Sequence, residues 1–203
     1  ILAFFTCLNT TQAQTKLIHY WNFNTFSTEY DNPGIPSLKA DWSALDTNAA
    51  KLNYELLPGA SIHYAGYIDS YDGDTTNARS IKGNPTPAGY SFRFRNPSDS
   101  AYMTFNIPTT GYKYIVVRYS TETSSLNSGM LHQLISYSTD GGANWKTSGL
   151  NMTDYTTAET WALVTLDFGA DNAVNDNAKL MLRIQFQGNT TGAKGNNRFD
   201  NVT

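Results

Sequence analysis

The chain has 203 residues, which is the size of one ordinary domain with a sizeable hydrophobic core. Only 15% of the residues are charged, whereas 13 are Tyr and 10 are Phe, and this composition suits half-buried strands better than helices. A formal net charge of -3 without a run of Lys or Arg argues against nucleic acid or an anionic membrane surface as a partner.

The first residues, ILAFFTCLNTTQAQ, are apolar and then small and polar. This order is typical of a signal peptide, so we interpret residues 1–13 as a signal peptide that lacks its start and ends at Ala13. The alternative, an ordinary first strand, is disfavoured by the polar TTQAQT stretch. Cys7 is the only cysteine, so we expect the mature protein to have no disulfide and no cysteine-based site. We expect a secreted or cell-surface protein with a single domain over residues 14–203, as a fragment of a longer multidomain chain.

Short segments of alternating apolar and polar residues follow, separated by turn residues. In chain order they are LIHYWNFN (17–24), YSFRF (90–94), AYMTFNI (101–107), YKYIVVRYS (112–120), MLHQLISYS (130–138), WALVTLDF (161–168), KLMLRIQFQ (179–187) and NRFDNVT (197–203). Alternation with period two predicts an all-β, antiparallel β-sandwich. The one helix that we expect is a turn or two within SALDTNAAKL (43–52). Residues 30–89 hold most of the prolines, which predicts long loops with short edge strands.

The stretch STDGGANW (138–145) resembles the Asp-box of sialidases, with Ser138, Asp140, Gly142 and Trp145 at the pattern positions. Asp-Gly-Gly supplies residues that tolerate the positive φ of a tight hairpin, and Trp145 can cover the hairpin base. In sialidases the box lies on blade hairpins away from the catalytic centre and is repeated, whereas here it occurs once in a chain too short for a propeller. We interpret it as a structural hairpin without a catalytic role.

The sequence contains no recognisable catalytic constellation. The four glutamates, Glu29, Glu55, Glu122 and Glu159, are isolated, and the E-x-D-x-E cluster of laminarinase-like sandwich glycosidases is missing. The histidines lack metal spacing, and His132 within an alternating strand is expected to be a packed core residue. We therefore expect a protein that is not an enzyme. A glycoside hydrolase is the least favoured alternative.

The segment DSYDGD places Asp69, Asp72 and Asp74 within six residues of a predicted loop. Carboxylates this close together are either solvated or bridged by a hard cation such as Ca²⁺, and the sequence is compatible with both interpretations.

Aromatic residues in loops are the best candidates for stacking on sugar rings, because aromatic residues inside strands are better explained as core. The loop aromatics in the predicted organisation are Trp42, Tyr67, Tyr71 and Tyr155. We take these four as the candidate ligand-binding residues.

Several of these phrases together resemble one family: LIHYWNFN, FRFRNPSDSAYMTFNIPTTGYKYIVVRYST, QLISYSTDGGANW, WALVTLDF and LRIQFQGNTTGAKGNNRFDNVT. They are similar to jelly-roll modules of large exported bacterial surface proteins, of the kind sent out by type IX secretion. The resemblance covers residues 17–203 and implies a jelly roll with adjacent first and last strands. It also implies a non-catalytic module that binds carbohydrate or another cell-surface ligand beside neighbouring domains. The alternative is a structural or adhesive spacer.

Similar jelly rolls, including MAM-like and carbohydrate-binding ones, often hold a structural Ca²⁺ where the first and last strands meet. The resemblance therefore implies a metal site at Asp200, with Asn22 or Asn24 in place of the acidic residue of the first strand. The alternative is that Asp200 bonds to backbone groups or pairs with an arginine such as Arg198.

Overall fold

The computed structural model describes residues 15–25, 37–56, 68–81, 83, 87–95, 99, 101–169, 171–188 and 195–203. These residues form short strands and one 3₁₀ turn at Asn172–Val174. The strands are β1 His19–Tyr20, β2 Leu38–Lys39, β3 Trp42–Ser43, β4 Lys51–Leu56, β5 Ile68–Asp72, β6 Tyr90–Arg95, β7 Ala101–Asn106, β8 Val116–Thr123, β9 His132–Ser138, β10 Asp154–Thr156, β11 Ala162–Asp167, β12 Met181–Gln187 and β13 Asn196–Asp200.

The strands form two main antiparallel sheets. The six-stranded sheet has the order β10-β9-β12-β7-β4-β2, the five-stranded sheet has the order β11-β8-β13-β6-β5, and β1 pairs with β3 in a small third sheet. Strands that are distant in sequence are neighbours in both sheets, as in a sandwich whose chain crosses repeatedly between its layers. The predicted all-β, antiparallel sandwich of jelly-roll type is confirmed.

The core lies between the inward faces of the two main sheets. In β12 the residues Leu182, Ile184 and Phe186 are fully buried, as the alternation of this segment predicts. The Phe186 ring lies 5.8 Å from that of Phe199 in the opposite sheet and 4.5 Å from that of Phe94. Aromatic packing of this kind across the layers stabilises the sandwich.

The two ends of the domain meet, as the sequence predicts. The main-chain groups of Trp21 and Val202 exchange two hydrogen bonds of 2.9 Å. The Tyr20 hydroxyl donates to Asn201 Oδ1 at 2.5 Å. The first and last strands are thus adjacent, and direct hydrogen bonds join them.

The expected helix within residues 43–52 is wrong. Asp46 instead organises a turn, accepting from the Asn48 main-chain N–H through its side chain and from Ala49 and Ala50 through its carbonyl. The chain then enters β4, which pairs along its length with β7. Tertiary pairing therefore overrides the helical preference of the Ala-Ala-Lys-Leu stretch.

The prediction of edge strands between residues 30 and 89 is correct for β2 and β5, which lie at the edges of the two sheets. It is wrong for β4, a six-residue strand that lies between β7 and β2. Among the described residues of β4, Lys51 and Leu52 pair with β2 as well, whereas the whole strand pairs with β7.

Candidate functional site

The outer face of the six-stranded sheet carries an aromatic and polar surface. On β12 the residues Arg183 and Gln185 alternate with the buried residues Leu182 and Ile184, so they point away from the core. Tyr102 of β7 pairs in register with Gln185 and lies on the same face. We call the surface formed by Tyr102, Leu134, Trp145, Arg183 and Gln185 the aromatic face.

Arg183 lies between the two rings of the aromatic face. Its guanidinium carbon is 4.3 Å from the centroid of the Trp145 ring and 5.6 Å from that of Tyr102. Its Nε donates to Ser136 Oγ at 3.1 Å. Burial lowers the pKa of Arg183 from its usual value, and the two ring contacts hold the guanidinium in place. The three side chains form a row across β12 and its neighbours.

Uncharged polar residues surround this row. The sheet register pairs Arg183 with Thr104 and Ser136, and Thr104 in turn with Asn53. Gln185 pairs with Leu134, and Gln187 follows Gln185 on the same face of β12. The side-chain amides of Asn53, Gln185 and Gln187 can donate to and accept from the hydroxyl groups of a ligand. Thr104 is buried, and Ser136 Oγ accepts from Arg183.

The hairpin at residues 138–145 holds Trp145 in this position. The Ser138 hydroxyl donates to Asp140 Oδ1 at 2.7 Å and accepts from the Gly142 N–H at 2.8 Å. Asp140 also accepts from the main-chain and side-chain nitrogens of Asn144, at 2.9 and 2.7 Å. The bonds from Ser138 and Asn144 hold the pKa of Asp140 below its usual range.

Glycine is required within this hairpin. Gly141 and Gly142 adopt φ values of +82° and +92°, which side chains disfavour. The predicted hairpin residues thus close a turn whose last member, Trp145, contacts the sheet face through Arg183.

A further set of bonds fixes the strands at the base of the hairpin. The main-chain groups of Tyr137 and Lys146 exchange two hydrogen bonds of 2.9 Å. The Tyr137 hydroxyl donates to Asp171 Oδ2 at 2.5 Å, and Lys146 Nζ lies 2.6 Å from the same oxygen. These bonds tie the hairpin to the loop before the 3₁₀ turn.

The candidate ligand-binding aromatics do not come together on one surface. Trp42 is partly buried in β3, where it pairs with Tyr20. Tyr155 lies in edge strand β10 and packs against the core, and burial raises its pKa. Tyr67 lies outside the described residues. The placement of Trp42, Tyr71 and Tyr155 in loops is wrong, since each belongs to a strand.

Tyr71 has a different environment, on the outer face of the five-stranded sheet. Its side chain is 37% exposed, but the guanidinium carbons of Arg198 and Arg93 lie 3.6 and 4.8 Å from its ring centroid. Arg198 also forms an ion pair with Glu122. Tyr71 is thus part of a separate aromatic and charged cluster on the other main sheet.

His132 was expected to be a packed core residue, and this is wrong. Its side chain is 38% exposed and lies 3.0 Å from Asp154. Gln133, the next residue, points inward instead and is fully buried. The strand register places His132 opposite Thr156 and Gln187 at the margin of the aromatic face.

The acidic segment DSYDGD is not a loop over its whole length. Asp69 and Asp72 belong to β5, and Asp74 follows in the turn. Asp74 Oδ2 accepts from the Thr76 N–H at 2.6 Å and from the Ser120 hydroxyl at 3.2 Å. Hydrogen bonds within the fold therefore engage the Asp74 carboxylate.

Asp200 is fully buried beside this turn. Its carboxylate accepts from the main-chain N–H groups of Asp74 and Asn201, at 2.8 and 2.7 Å. Burial raises the pKa of Asp200 to about 8, and the charges of Asp74 and Asp41 add to the effect. Arg198, two residues earlier, forms an ion pair with Glu122.

The other predicted metal ligands use their side-chain oxygens elsewhere. Asn22 Oδ1 accepts from the Asn24 N–H at 3.1 Å, and Asn24 Oδ1 accepts from the Tyr90 N–H at 2.7 Å. A Cβ on Gly89 would lie 1.7 Å from Asn24 Oδ1, so this approach requires glycine. Within the described ranges, no group of three or more His, Cys, Asp or Glu residues could hold a metal ion.

A cavity of about 910 Å³ lies at a different place, beside the first described residues and the loop before β8. Its lining includes Tyr112, Tyr114, Lys113 and Arg118. Tyr114 is 85% exposed and has a φ of +58°. The cavity is therefore a concave surface with aromatic residues, separate from the aromatic face.

Sequence reasoning missed Tyr102, Arg183 and Gln185. It assigned strand aromatics to the core, although Tyr102 alternates with the buried residues Ala101 and Met103. The same alternation in KLMLRIQFQ places Arg183 and Gln185 opposite its apolar residues. Period-two alternation could therefore have identified the outward residues, but not which of the outer faces carries a ligand.

No protein-family model matches the chain, and no curated protein matches it at a significant level. Among solved structures it is similar to a xylan-binding domain from Paenibacillus barcinonensis, with 10% identity, 93% of this chain and 95% of that chain covered, and a TM-score of 0.44. It is also similar to the K3 cleaved adhesin domain of Lys-gingipain from Porphyromonas gingivalis, with 12% identity, 74% and 89% coverage, and a TM-score of 0.44. A Stig cyclase from Fischerella sp. is similar with 13% identity, 87% and 94% coverage, and a TM-score of 0.39.

In the described part of the chain, no helix has the length and hydrophobicity needed to cross a membrane.

Proposed function

We propose that this protein is a non-catalytic glycan-binding module of a secreted or cell-surface protein. The ligand binds on the aromatic face, the outer surface of the six-stranded sheet. The observation that carries this proposal is the row Trp145, Arg183 and Tyr102, with the side-chain amides of Gln185 and Asn53 on the same face. This combination offers apolar ring surface and hydrogen-bonding groups on one rigid support.

The chemistry of a sugar matches such a surface. One side of a pyranose ring presents C–H groups that pack on an aromatic ring, while its hydroxyls need hydrogen-bonding partners. Trp and Tyr provide large contact areas at a small cost in conformational entropy. Because the polar residues lie on strands, the sheet fixes their spacing before a ligand arrives, which reduces the cost of ordering on binding.

Replacing Trp145 with Ala should weaken binding to the preferred glycan at least about tenfold, which corresponds to about 1.4 kcal/mol. The variant loses the ring contact and leaves Arg183 with one aromatic neighbour. Isothermal titration with a glycan identified from a polysaccharide panel measures the effect. Tyr102→Ala, which leaves the hairpin intact, should weaken the same binding.

Tyr114→Ala is the matched control, since it removes an exposed aromatic ring beside the cavity. It should leave the affinity unchanged. A loss of affinity in Tyr114→Ala, with normal binding in Trp145→Ala and Tyr102→Ala, would place the ligand in the cavity and contradict the proposal. If the unaltered protein binds nothing on the panel, the alternative of a structural or adhesive spacer replaces it.

Calcium remains a prediction from the family resemblance. Asp200 supports it, because a buried carboxylate with a raised pKa gains from a nearby cation. Asn22 and Asn24 do not support it, because their amide oxygens accept main-chain N–H groups. Melting curves with and without a chelator test whether a bound cation stabilises the protein.

A further inference from the structure

We propose that the glycan bound by the aromatic face is acidic and that Arg183 binds the carboxylate of a uronic acid unit. This inference rests on the proposed function and adds the chemical class of the ligand. Three observations carry it: the bonding of Arg183, its surroundings, and the distribution of charge over the face.

Arg183 uses little of its hydrogen-bonding capacity within the fold. Its Nε donates to Ser136, and its other contacts are with the rings of Trp145 and Tyr102. None of the described carboxylates forms an ion pair with it. A guanidinium group has five N–H donors in a planar fork that matches the two oxygens of a carboxylate. The donors at its outer end therefore remain available for such a group.

The surroundings prepare Arg183 for this role. The rings on its two sides restrict the guanidinium to one orientation, and the Ser136 bond fixes Nε, so little entropy is lost on binding. The sheet partners Ser136 and Thr104 bring no competing charge. Partial burial strengthens the attraction between the guanidinium and a carboxylate relative to a fully solvated pair.

The charge of the face is opposite to that of the whole chain. The formal net charge is -3, yet Lys39 and Lys51 lie on the same outer face as Arg183. They pair in register and alternate with the inward residues Leu38 and Leu52. Within the described strands, two acidic residues are on this face by register: Asp154, which is bonded to His132, and Glu55, which pairs with Tyr102. Arg183, Lys39 and Lys51 outnumber them, so an anionic polymer would meet an excess of positive charge on an otherwise acidic protein.

The test compares acidic polysaccharides with neutral polymers of the same backbone. Polygalacturonate and alginate are each prepared in native and carboxyl-reduced form, and affinities are measured by affinity electrophoresis and titration calorimetry. We expect the unaltered protein to bind at least one native polymer about tenfold or more tightly than its reduced form. The ratio should decrease as the salt concentration rises.

Arg183→Gln should bring this ratio close to one, and Arg183→Lys, which keeps the charge but loses the planar fork, should give an intermediate ratio. Arg118→Gln is the matched control, because it removes an arginine that lines the distant cavity. It should keep the ratio of the unaltered protein. Melting curves confirm that each variant is folded.

The outcomes separate this inference from the proposed function. The protein could bind the reduced polymers equally or more tightly, or bind neutral glycans alone, and lose this binding in Trp145→Ala. That result would overturn the proposal of an acidic ligand and would keep the proposal that a glycan binds on the aromatic face. A native-to-reduced ratio that survives in Arg183→Gln would overturn the role of Arg183. Absence of binding to every polymer, native, reduced or neutral, would overturn both.

Discussion

In protein treated with EDTA, the melting midpoint should fall steadily as the pH is raised from about 4 to about 8. The reason is Asp200, whose carboxyl is fully buried at the junction of the first and last strands. Burial first, and then the charges of Asp74 and Asp41, raise its pKa from 3.8 to about 8. In this window the folded protein keeps the proton, whereas the unfolded chain has released it.

The direction of this pH dependence of stability follows from proton linkage. Where the folded state binds more protons than the unfolded state, the free energy of unfolding decreases as the pH rises. The contribution of Asp200 is fully present below pH 3.8 and is lost progressively as the pH rises to about 8.

Asp200→Asn should flatten this pH dependence, because the amide has nearly the same shape and does not titrate. It is expected to lower the midpoint at acidic pH, since an amide nitrogen cannot accept from the second main-chain N–H group. Thr121→Ala is the control for a variant that loses stability but no titratable group. It removes the hydrogen bond that the hydroxyl of the buried Thr121 donates to the Arg198 carbonyl. An identical pH slope in Asp200→Asn and the unaltered protein would show that Asp200 ionises in the folded state.

The same melting curves test the calcium prediction. A structural Ca²⁺ ligated by Asp200 should raise the midpoint most at pH 8, where the folded carboxyl begins to ionise. If the midpoint at pH 8 is unchanged by Ca²⁺, the calcium prediction is wrong.

Trp21→Ala should destabilise the domain by about 3–5 kcal/mol. Trp21 is 1% exposed, and its ring packs edge-on against Phe105 at 5.3 Å. Its main chain pairs with Val202, and its indole nitrogen donates to the Leu38 carbonyl at 3.3 Å. The side chain therefore fills the core where the two ends of the chain meet. Urea denaturation followed by circular dichroism measures the loss.

Trp42→Ala is the matched control for this change. Trp42 lies in β3 close to Trp21 in sequence, but it is only partly buried. Its truncation should cost clearly less, because fewer apolar contacts are lost. Equal losses in the two variants would contradict the view that burial at the junction of the ends, in the absence of disulfides, holds the domain together.

The fold could be predicted because its main determinant is local. Alternation in AYMTFNI and KLMLRIQFQ identifies the inward residues, such as Met103, Ile184 and Phe186, which are fully buried. Strand β4 could not be predicted in the same way, because its pairing with β7 depends on a partner about fifty residues away. The residues just before β4 have a helical preference, and this led to the wrong prediction of a helix within residues 43–52.

The site was harder to predict than the fold, for a physical reason. A ligand surface on a sheet consists of residues from strands that are remote in sequence, and only the register brings them together. Arg183, Tyr102 and Trp145 come from two strands and a hairpin. Trp145 lies at the hairpin, and the sequence does not show that its ring contacts a guanidinium on another strand.

The central claim is that a glycan binds to the outer face of the six-stranded sheet. Titration of ¹⁵N-labelled protein with an oligosaccharide of the best-binding polymer tests it most directly, by chemical shift changes of amide and indole signals. The account predicts changes clustered at Tyr102, Ser136, Arg183, Gln185 and the indole N–H of Trp145. Changes clustered instead around Tyr71 and Arg198, or around Tyr114, would contradict it.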